Sequence, residues 1–458
     1  MTNAAQHRPA GNTGTFADPP GFRARRFRNW FFLGLLYAAF YLCRYNLGIV
    51  APELKEYYGF TNEQYGRIAS ARDGGYAFGQ FVNGLLADGL GGKQAMAVGA
   101  IGSILMNFAF GCATFSSIGW ILAAFFLIRL LDGYFQAFGA PGMIKTSAAW
   151  FRRRERGFFS GIFGGVIQMG AVGAGALGKY LLVGFTVPLI GLTVARQDWR
   201  MMFFLPPMIL FVILVISWLN VKNHPEEAGY QIRHDKEDTH AGEQRAPLAR
   251  VFKQIAGNPL AWCNAGAYFC TGFVRRALEA WWVLYLVDAW HADKTSSYYI
   301  VLVWSLPLSA FVGSIGAGLM SDALFAGRRS PVAAALYGIE TLCILAALLW
   351  LGVWHGGSPA IACIFLSLIS LTCNSSHSII GAAAAMDIGG QRMSGFACGV
   401  IDSFQYCGAI LAGFLLGKLI DAFGWNALFV AMLPFSLLGA LLMTGIWLRT
   451  RGRTVMGS

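Results

Sequence analysis

Arg44 lies in Phe40-Tyr41-Leu42-Cys43-Arg44-Tyr45-Asn46-Leu47 and Arg275 in Phe273-Val274-Arg275-Arg276-Ala277, each inside a long apolar stretch. A charged side chain at membrane depth costs roughly 3 kcal/mol or more, so it faces a protein interior or a water-filled cavity. The two arginines are 231 residues apart, close to the period of an internal repeat. In a two-fold pseudosymmetric bundle, equivalent inward-facing positions oppose each other across the centre. Two guanidiniums converging there would hold a doubly charged tetrahedral anion, because their planar, permanently charged forks match phosphate oxygens bidentately. The competing reading is local neutralisation. Glu279 follows Arg275 by four residues, on the same helical face, and could pair with it.

Positioning such groups requires membrane helices, and the composition supplies them. The 458 residues are 56% hydrophobic and 13% charged, with mean hydropathy +0.52. Apolar runs of about 20 residues, each long enough to cross a ~30 Å hydrocarbon core as a helix, recur from end to end. The pattern predicts an all-α polytopic membrane protein with twelve spans, near 30–50, 67–88, 95–115, 118–140, 157–184, 201–220, 259–288, 298–321, 331–353, 358–386, 394–421 and 425–448. Barrel strands would instead alternate over about 10 residues. The first span is too long for a removable signal peptide and lacks its small-residue cleavage site. The nine cysteines follow no ligand-like spacing and read as small interior residues. No ATP motif, cofactor site, catalytic constellation, metal-ligand cluster or nucleic-acid signature stands out. The expectation is a secondary transporter, working as a monomer in the lipid bilayer, and not an enzyme.

The net charge of +12 reports topology. Arg23, Arg25, Arg26 and Arg28, the cluster Arg152, Arg153, Arg154 and Arg156, the pair Arg328 and Arg329, Arg392, and Arg449, Arg451 and Arg453 fall in alternate connections. That places them, and both termini, on the cytoplasmic side, with a bacterial inner membrane as the expected setting. The expected organisation is a tail at 1–29, a six-helix half at 30–221, a polar linker at 222–258, a second half at 259–448 and a tail at 449–458. The halves repeat. Gly84-Leu-Leu-Ala-Asp88-Gly-Leu-Gly91-Gly-Lys93 follows span two, and Gly318-Leu-Met-Ser-Asp322 follows span eight, 234 residues later. Gly157-Phe-Phe-Ser-Gly161 and Gly395-Phe-Ala-Cys-Gly399 open spans five and eleven at an offset of 238. Parallel repeats of this kind place a substrate site near the midplane, between the halves. The loop pattern formed by Gly84, Asp88, Gly91 and Lys93 resembles the conserved loop motif of the major facilitator superfamily, with Gly89 where that motif usually has a basic residue.

Over nearly its whole length the chain also resembles the organophosphate:phosphate antiporter family. The likeness is carried by Tyr37-Ala-Ala-Phe-Tyr41-Leu-Cys-Arg44, Gly133-Tyr-Phe-Gln136-Ala-Phe-Gly139-Ala-Pro141, Glu155-Arg156-Gly157, Gly318-Leu-Met-Ser-Asp322-Ala-Leu-Phe-Ala-Gly327-Arg328 and Phe423-Gly424-Trp425. The resemblance implies that Arg44 and Arg275 grip a phosphate and that Tyr37, Tyr41 and Tyr406 line the cavity. It also implies exchange of a phosphorylated organic anion for inorganic phosphate. Members that carry glycerol phosphate or hexose phosphate have a Trp-Asn-x-x-His-Asn pattern on helix five. Here Phe163, Gly164, Ile167 and Gln168 occupy that stretch, and Tyr45 and Gln80 replace two lysines of the glycerol-phosphate carrier. Phosphate gripping is kept while the surrounding charge changes, which points away from glycerol 3-phosphate itself.

Further polar groups interrupt the spans. Arg129 and Asp132 are three residues apart and read as mutually neutralising; Arg72 could serve Asp73. Asp73, Glu279 and Asp402 lack a fixed partner in the sequence and are candidates for charge coupling or for a substrate ammonium group, as in aminoalkyl phosphates and phosphonates. Sugar phosphates would instead use the amides of Gln136, Gln168 and Gln405. His377 reads as an interhelical hydrogen-bonding residue. Trp281, Trp282 and Tyr285 read as an interfacial belt or a gate, the belt being favoured, and the glycines of span five as a close-packing surface where the halves rock. Two alternatives stand beside the antiporter: a proton-coupled symporter using Asp73, Glu279 or Asp402 as countercharge, and a membrane sugar-phosphate sensor that transports little.

Overall fold

With no water in a bilayer core, a spanning apolar segment satisfies its backbone only as a helix or a closed barrel. The computed structural model of this chain is almost wholly helical. It describes residues 19–114, 117–151, 153–187, 192–230, 257–325, 328–354 and 357–450, without the side chains at 81, 85, 88, 153–163, 322 and 382–401. Asp88, Asp322, Arg152 to Arg156, Arg392, Cys398, Arg451, Arg453 and most of the linker, 231–256, therefore lie outside the described residues or side chains.

The first six crossings use α1 (Phe22–Ile49), the short α2 (Ala51–Tyr58), α3 (Asn62–Leu90), α4 (Gly92–Cys112), α5 (Ile118–Gln136), α6 (Gly139–Trp150), α7 (Arg153–Val183) and α8 (Met201–Asn220). A small hairpin, β1 (Phe185–Val187) and β2 (Leu192–Val194), joins α7 to α8. The second six use α9 (Pro259–Leu284), α10 (Ser297–Phe325), α11 (Arg329–Ala347), α12 (Pro359–Phe423) and α13 (Ala427–Thr450). Helix α12 makes two crossings, Pro359–Gly381 and Asp402–Phe423, and both pack on α9. The fourth crossing is α5 and α6 together, interrupted at Ala137 and Phe138 just after Gln136. Twelve crossings in two six-helix repeats result. Ten described helical segments are long and apolar enough to span on composition alone; α3 and α9 are not among them. These two carry Arg72 and Asp73, and Arg275, Arg276 and Glu279. They tolerate that charge because neighbouring helices cover it.

Three expectations need correction. Helix α1 begins at Phe22, not near residue 30, because the Phe22 ring stacks on Trp150 at 5.9 Å and meets Tyr230 edge-on at 5.4 Å. The four nearby arginines disguised this anchor as a polar tail. The Gly84-to-Lys93 pattern is not a loop: α3 runs through Leu90 and α4 starts at Gly92. Only Gly91 intervenes, at φ +92°, a conformation that favours glycine. There the Lys93 N–H donates to Asn223 Oδ1 at 2.8 Å, and its ammonium sits 4.3 Å from the Trp218 ring centre. Finally, Trp281, Trp282 and Tyr285 are not an interfacial belt. They are buried, with Trp281 against Tyr65 and Trp425, and Trp282 against Tyr299.

These aromatics belong to a seal between the halves at the end opposite the chain termini. Tyr65 Oη donates to the Ala280 carbonyl across the seam at 2.9 Å, and Tyr299 Oη to that of Gly175 at 3.0 Å. Lys55 pairs with Asp288 at 3.1 Å and Lys294 with Glu53 at 2.5 Å. Burial pushes the Lys294 ammonium below its ordinary range, and Glu53 opposes that shift. Asp421 accepts the Asn62 and Glu63 N–H groups at 3.0 and 2.8 Å, so an acid from one half caps a helix N-terminus of the other. The α7 glycines do form a packing surface: Gly170 abuts α1, and Gly165 and Gly175 abut α10.

Candidate functional site

Helix α1 presents Tyr37, Tyr41, Arg44 and Tyr45 along one face, at the i, i+4, i+7 and i+8 spacing of a single helical stripe. Arg44 is buried, and its Nε donates to Gln136 Oε1 at 3.0 Å. The guanidinium carbon lies 4.4 Å from the Tyr41 ring centre and 4.8 Å from that of Tyr76. Both contacts are cation–π in range and hold the charge beside the two rings. Among the described residues Arg44 makes no ion pair, and its Nη2 has no hydrogen-bond partner. A buried cation with an open nitrogen can donate to the oxygen of an anion.

Gln136 is itself anchored. Its amide nitrogen donates to both Asp132 oxygens at 3.1 Å, which turns its carbonyl toward Arg44. Asp132 also accepts from Arg129 Nη1 at 2.9 Å and Ser103 Oγ at 2.7 Å. The pairing of Arg129 with Asp132 expected from their spacing is present, and its further role is to orient the arm that holds Arg44. The backbones approach closely here. A Cβ added at Gly133 would stand 2.0 Å from the Arg72 carbonyl oxygen, so α3 and α5 can meet only at a glycine. Gln136→Leu removes the one charge-assisted hydrogen bond that aims the fork, an expected loss of about tenfold in affinity for any anion, phosphate included, that Arg44 holds. Phosphate protection against thermal unfolding measures it; an unchanged concentration dependence would assign Gln136 to packing alone.

Arg275 on α9 is held differently. Its Nε pairs with Glu279 Oε1 at 3.0 Å, and its Nη1 lies 3.4 Å from His377 Nε2. With its amide oxygen toward Arg275, Gln405 accepts from Nη1 at 3.1 Å and donates to Asp402 Oδ1 at 3.1 Å. Each arginine is thus steadied by a glutamine anchored on an aspartate, but only Arg275 has a carboxylate of its own. His377 stacks on Tyr268, as an interhelical contact residue would. Tyr406 stacks on Tyr76 with ring centres 4.5 Å apart, bridging the halves beside Arg44. Tyr41 and Tyr406 lie within electrostatic range of both guanidiniums.

The three candidate acids have separate surroundings. Glu279 also accepts from Tyr45 Oη at 3.1 Å across the seam. Asp402 additionally receives Gln80 Nε2 at 3.4 Å. Asp73 is wholly buried between Arg72 and Arg276, with Arg276 Nε at 2.7 Å, and is committed to joining α3 with α9. Gln168 lies apart from Arg44, lining a chamber with Arg275 and Glu279. Gly84, Gly91 and Lys93 are at the termini-bearing end, away from these groups. Sequence reasoning missed Tyr76 and Asn374. Tyr76 sits four residues after Arg72 on the same helical face, and Asn374 stands 238 residues after Gln136, the offset of the repeat.

Comparison with known proteins agrees with this architecture. The model of the Major Facilitator Superfamily matches residues 33–339. The chain is 26% identical to a glycerol-3-phosphate transporter of Bacillus subtilis, covering 92% of this chain and 93% of that protein. It is 27% identical to the membrane sensor protein UhpC of Salmonella typhimurium, at 91% and 92% coverage. A probable hexose phosphate transport protein of Chlamydia trachomatis is 26% identical, at 92% and 91% coverage. A solved bacterial homologue of the lysosomal transporter Spinster, in an inward-facing and occupied conformation, shares the fold with TM-score 0.70 at 14% identity, covering 94% of this chain and 98% of that one. The chain belongs to the Major Facilitator Superfamily, a family of transporters and not of enzymes, and is matched within it to the organophosphate:phosphate antiporters.

Proposed function

We propose that this protein is a secondary carrier that moves a phosphorylated organic anion, an organophosphate or phosphonate, in exchange for inorganic phosphate. The observation that carries the reading is Arg44: a buried guanidinium with no carboxylate partner among the described residues and an unused nitrogen. Arg275 completes the grip from the other half, with Tyr37, Tyr41, Tyr406 and Gln136 around the anion. The named relatives, carriers of glycerol 3-phosphate and hexose phosphate, support the substrate class. Transport proceeds by alternating access. The halves, 30–221 and 259–448, rock about the arginine pair while the linker 222–258 and both termini stay in the cytoplasm of a bacterial cell. The bound anion shifts the equilibrium through its higher affinity for the closed state. The carrier works as a monomer.

One observation favours a second reading. The Arg275–Glu279 pair already supplies a countercharge in the empty site, which would allow return without phosphate and make the carrier a proton-coupled symporter. The sensor relative raises a third, in which binding persists and transport is slight. Proteoliposomes separate them. Uptake of labelled phosphate that requires phosphate inside the vesicles establishes exchange. Uptake into phosphate-free vesicles driven by an imposed pH gradient replaces antiport with proton coupling. Ligand-dependent thermal stabilisation without uptake leaves the sensor.

A further inference from the structure

Beyond Arg275 the centre continues into a chamber of about 70 Å³ bounded by α1, α7, α9, α10 and α12. Its charged and polar lining is Arg275, Glu279, Tyr45, Gln168, Ser370 and Asn374, and Trp282 and Leu306 form apolar walls. Neither Arg44 nor Tyr41 reaches it. Arg275 and Glu279 stand 3.0 Å apart in its wall, so an occupant that takes both carries its two charges a short chain apart. We infer that this chamber receives the organic end of the substrate, a short chain ending in an ammonium group. The inference rests on the reading that the arginine pair holds the phosphoryl group.

With Arg275 given to the phosphoryl group and Tyr45 Oη donating to Glu279 at 3.1 Å, the chemistry left to an occupant centres on acceptors and the Gln168 amide. Asn374 Nδ2 donates to the Ser370 carbonyl at 2.8 Å, and Ser370 Oγ donates to that of Leu306 at 3.0 Å. Asn374 Nδ2 also donates to Ser370 Oγ at 3.4 Å, so these donors are used within the protein and the Asn374 amide oxygen is left for an occupant. Glu279 adds a carboxylate whose Oε2 has only a 3.8 Å ion-pair contact, with Arg276. A wall of acceptors beside a carboxylate selects a positively charged donor and repels a second carboxylate.

The Arg275–Glu279 pair makes the match sharper. A zwitterion of this length enters as a replacement for that pair: its phosphoryl group takes Arg275 and its ammonium takes Glu279. Both protein charges keep a partner, so opening the pair leaves neither one buried alone. A hexose phosphate fills only the first role, since its sugar brings no charge for Glu279.

The test is competition against labelled inorganic phosphate exchange in proteoliposomes, using phosphoethanolamine, phosphoglycolate and glucose 6-phosphate. Phosphoethanolamine is expected to compete at about tenfold lower concentration than either of the others. Ala171→Leu, which fills the chamber from α7 without altering a charge, is expected to erase most of that preference when each compound is scaled to unlabelled phosphate. Equal competition by phosphoglycolate or glucose 6-phosphate overturns the inference and leaves the anion site standing. Preference unchanged by Ala171→Leu moves the organic end elsewhere and also overturns it. Absence of phosphate exchange in the parent protein removes the underlying reading, and this inference with it.

Discussion

Arg44→Lys is expected to lower exchange of labelled phosphate about a hundredfold. Arginine here does three things at once. Its Nε holds Gln136, its charge lies beside the Tyr41 and Tyr76 rings, and its Nη2 has no hydrogen-bond partner and can take an anion oxygen. A lysine ammonium is a point donor and cannot keep the Gln136 bond while presenting a fork to phosphate. Two charge-assisted hydrogen bonds at roughly 1.5–3 kcal/mol each are at stake, and about 3 kcal/mol already corresponds to a hundredfold. Arg275→Lys is expected to lose less, because a lysine there can still pair with Glu279. Initial exchange rates over a range of external phosphate concentrations measure both. Arg44→Lys within about threefold of the parent would show that Arg44 is a packing residue and not the anion grip.

Asp73→Asn is expected to be the most damaging single substitution for stability. Asp73 is fully buried and serves as counterion to Arg72 on its own helix and to Arg276 across the seam. Removing it leaves two buried guanidiniums against one another. Breaking a buried pair from one side costs about 3–5 kcal/mol, a large share of the roughly 5–15 kcal/mol that holds a typical domain folded. The purified variant in detergent should unfold well below the parent temperature. Adding Arg276→Gln, which removes one of the two stranded charges, should recover a substantial part of the loss. A melting temperature equal to that of the parent for Asp73→Asn alone would mean that water reaches this pair.

The two arginines owe their different behaviour to their surroundings. Gln136 and Gln405 have similar jobs, each fixed by an aspartate and each aimed at an arginine. The acids stand on different kinds of crossing, Asp132 on the fourth and Asp402 on the eleventh, so repeat symmetry does not relate them. Only Arg275 has a carboxylate one helical turn away. Arg44 therefore offers a full positive charge to the centre. Arg275 offers a charge that is already balanced and that a zwitterion can rebalance.

Much of this was legible in the chain because bilayer physics leaves few choices. Apolar runs of spanning length force helices, and an arginine inside one, such as Arg44 or Arg275, is driven to a protein-facing position. The spacing of Arg129 and Asp132, or of Arg275 and Glu279, encodes a pair directly, since three or four residues bring side chains to one helical face. Tertiary structure alone decided the rest. No local rule joins Asp73 to Arg276, Tyr45 to Glu279 or Tyr76 to Tyr406, because each contact crosses from one half to the other. The aromatic trio Trp281, Trp282 and Tyr285 was misread for the same reason. An aromatic near the end of an apolar run looks like a lipid-interface anchor until a facing helix, here α3 and α10, covers it. Whether a glutamine binds substrate or orients an arginine was likewise undecidable from residue type, since an amide serves either role and only its neighbour's position chooses.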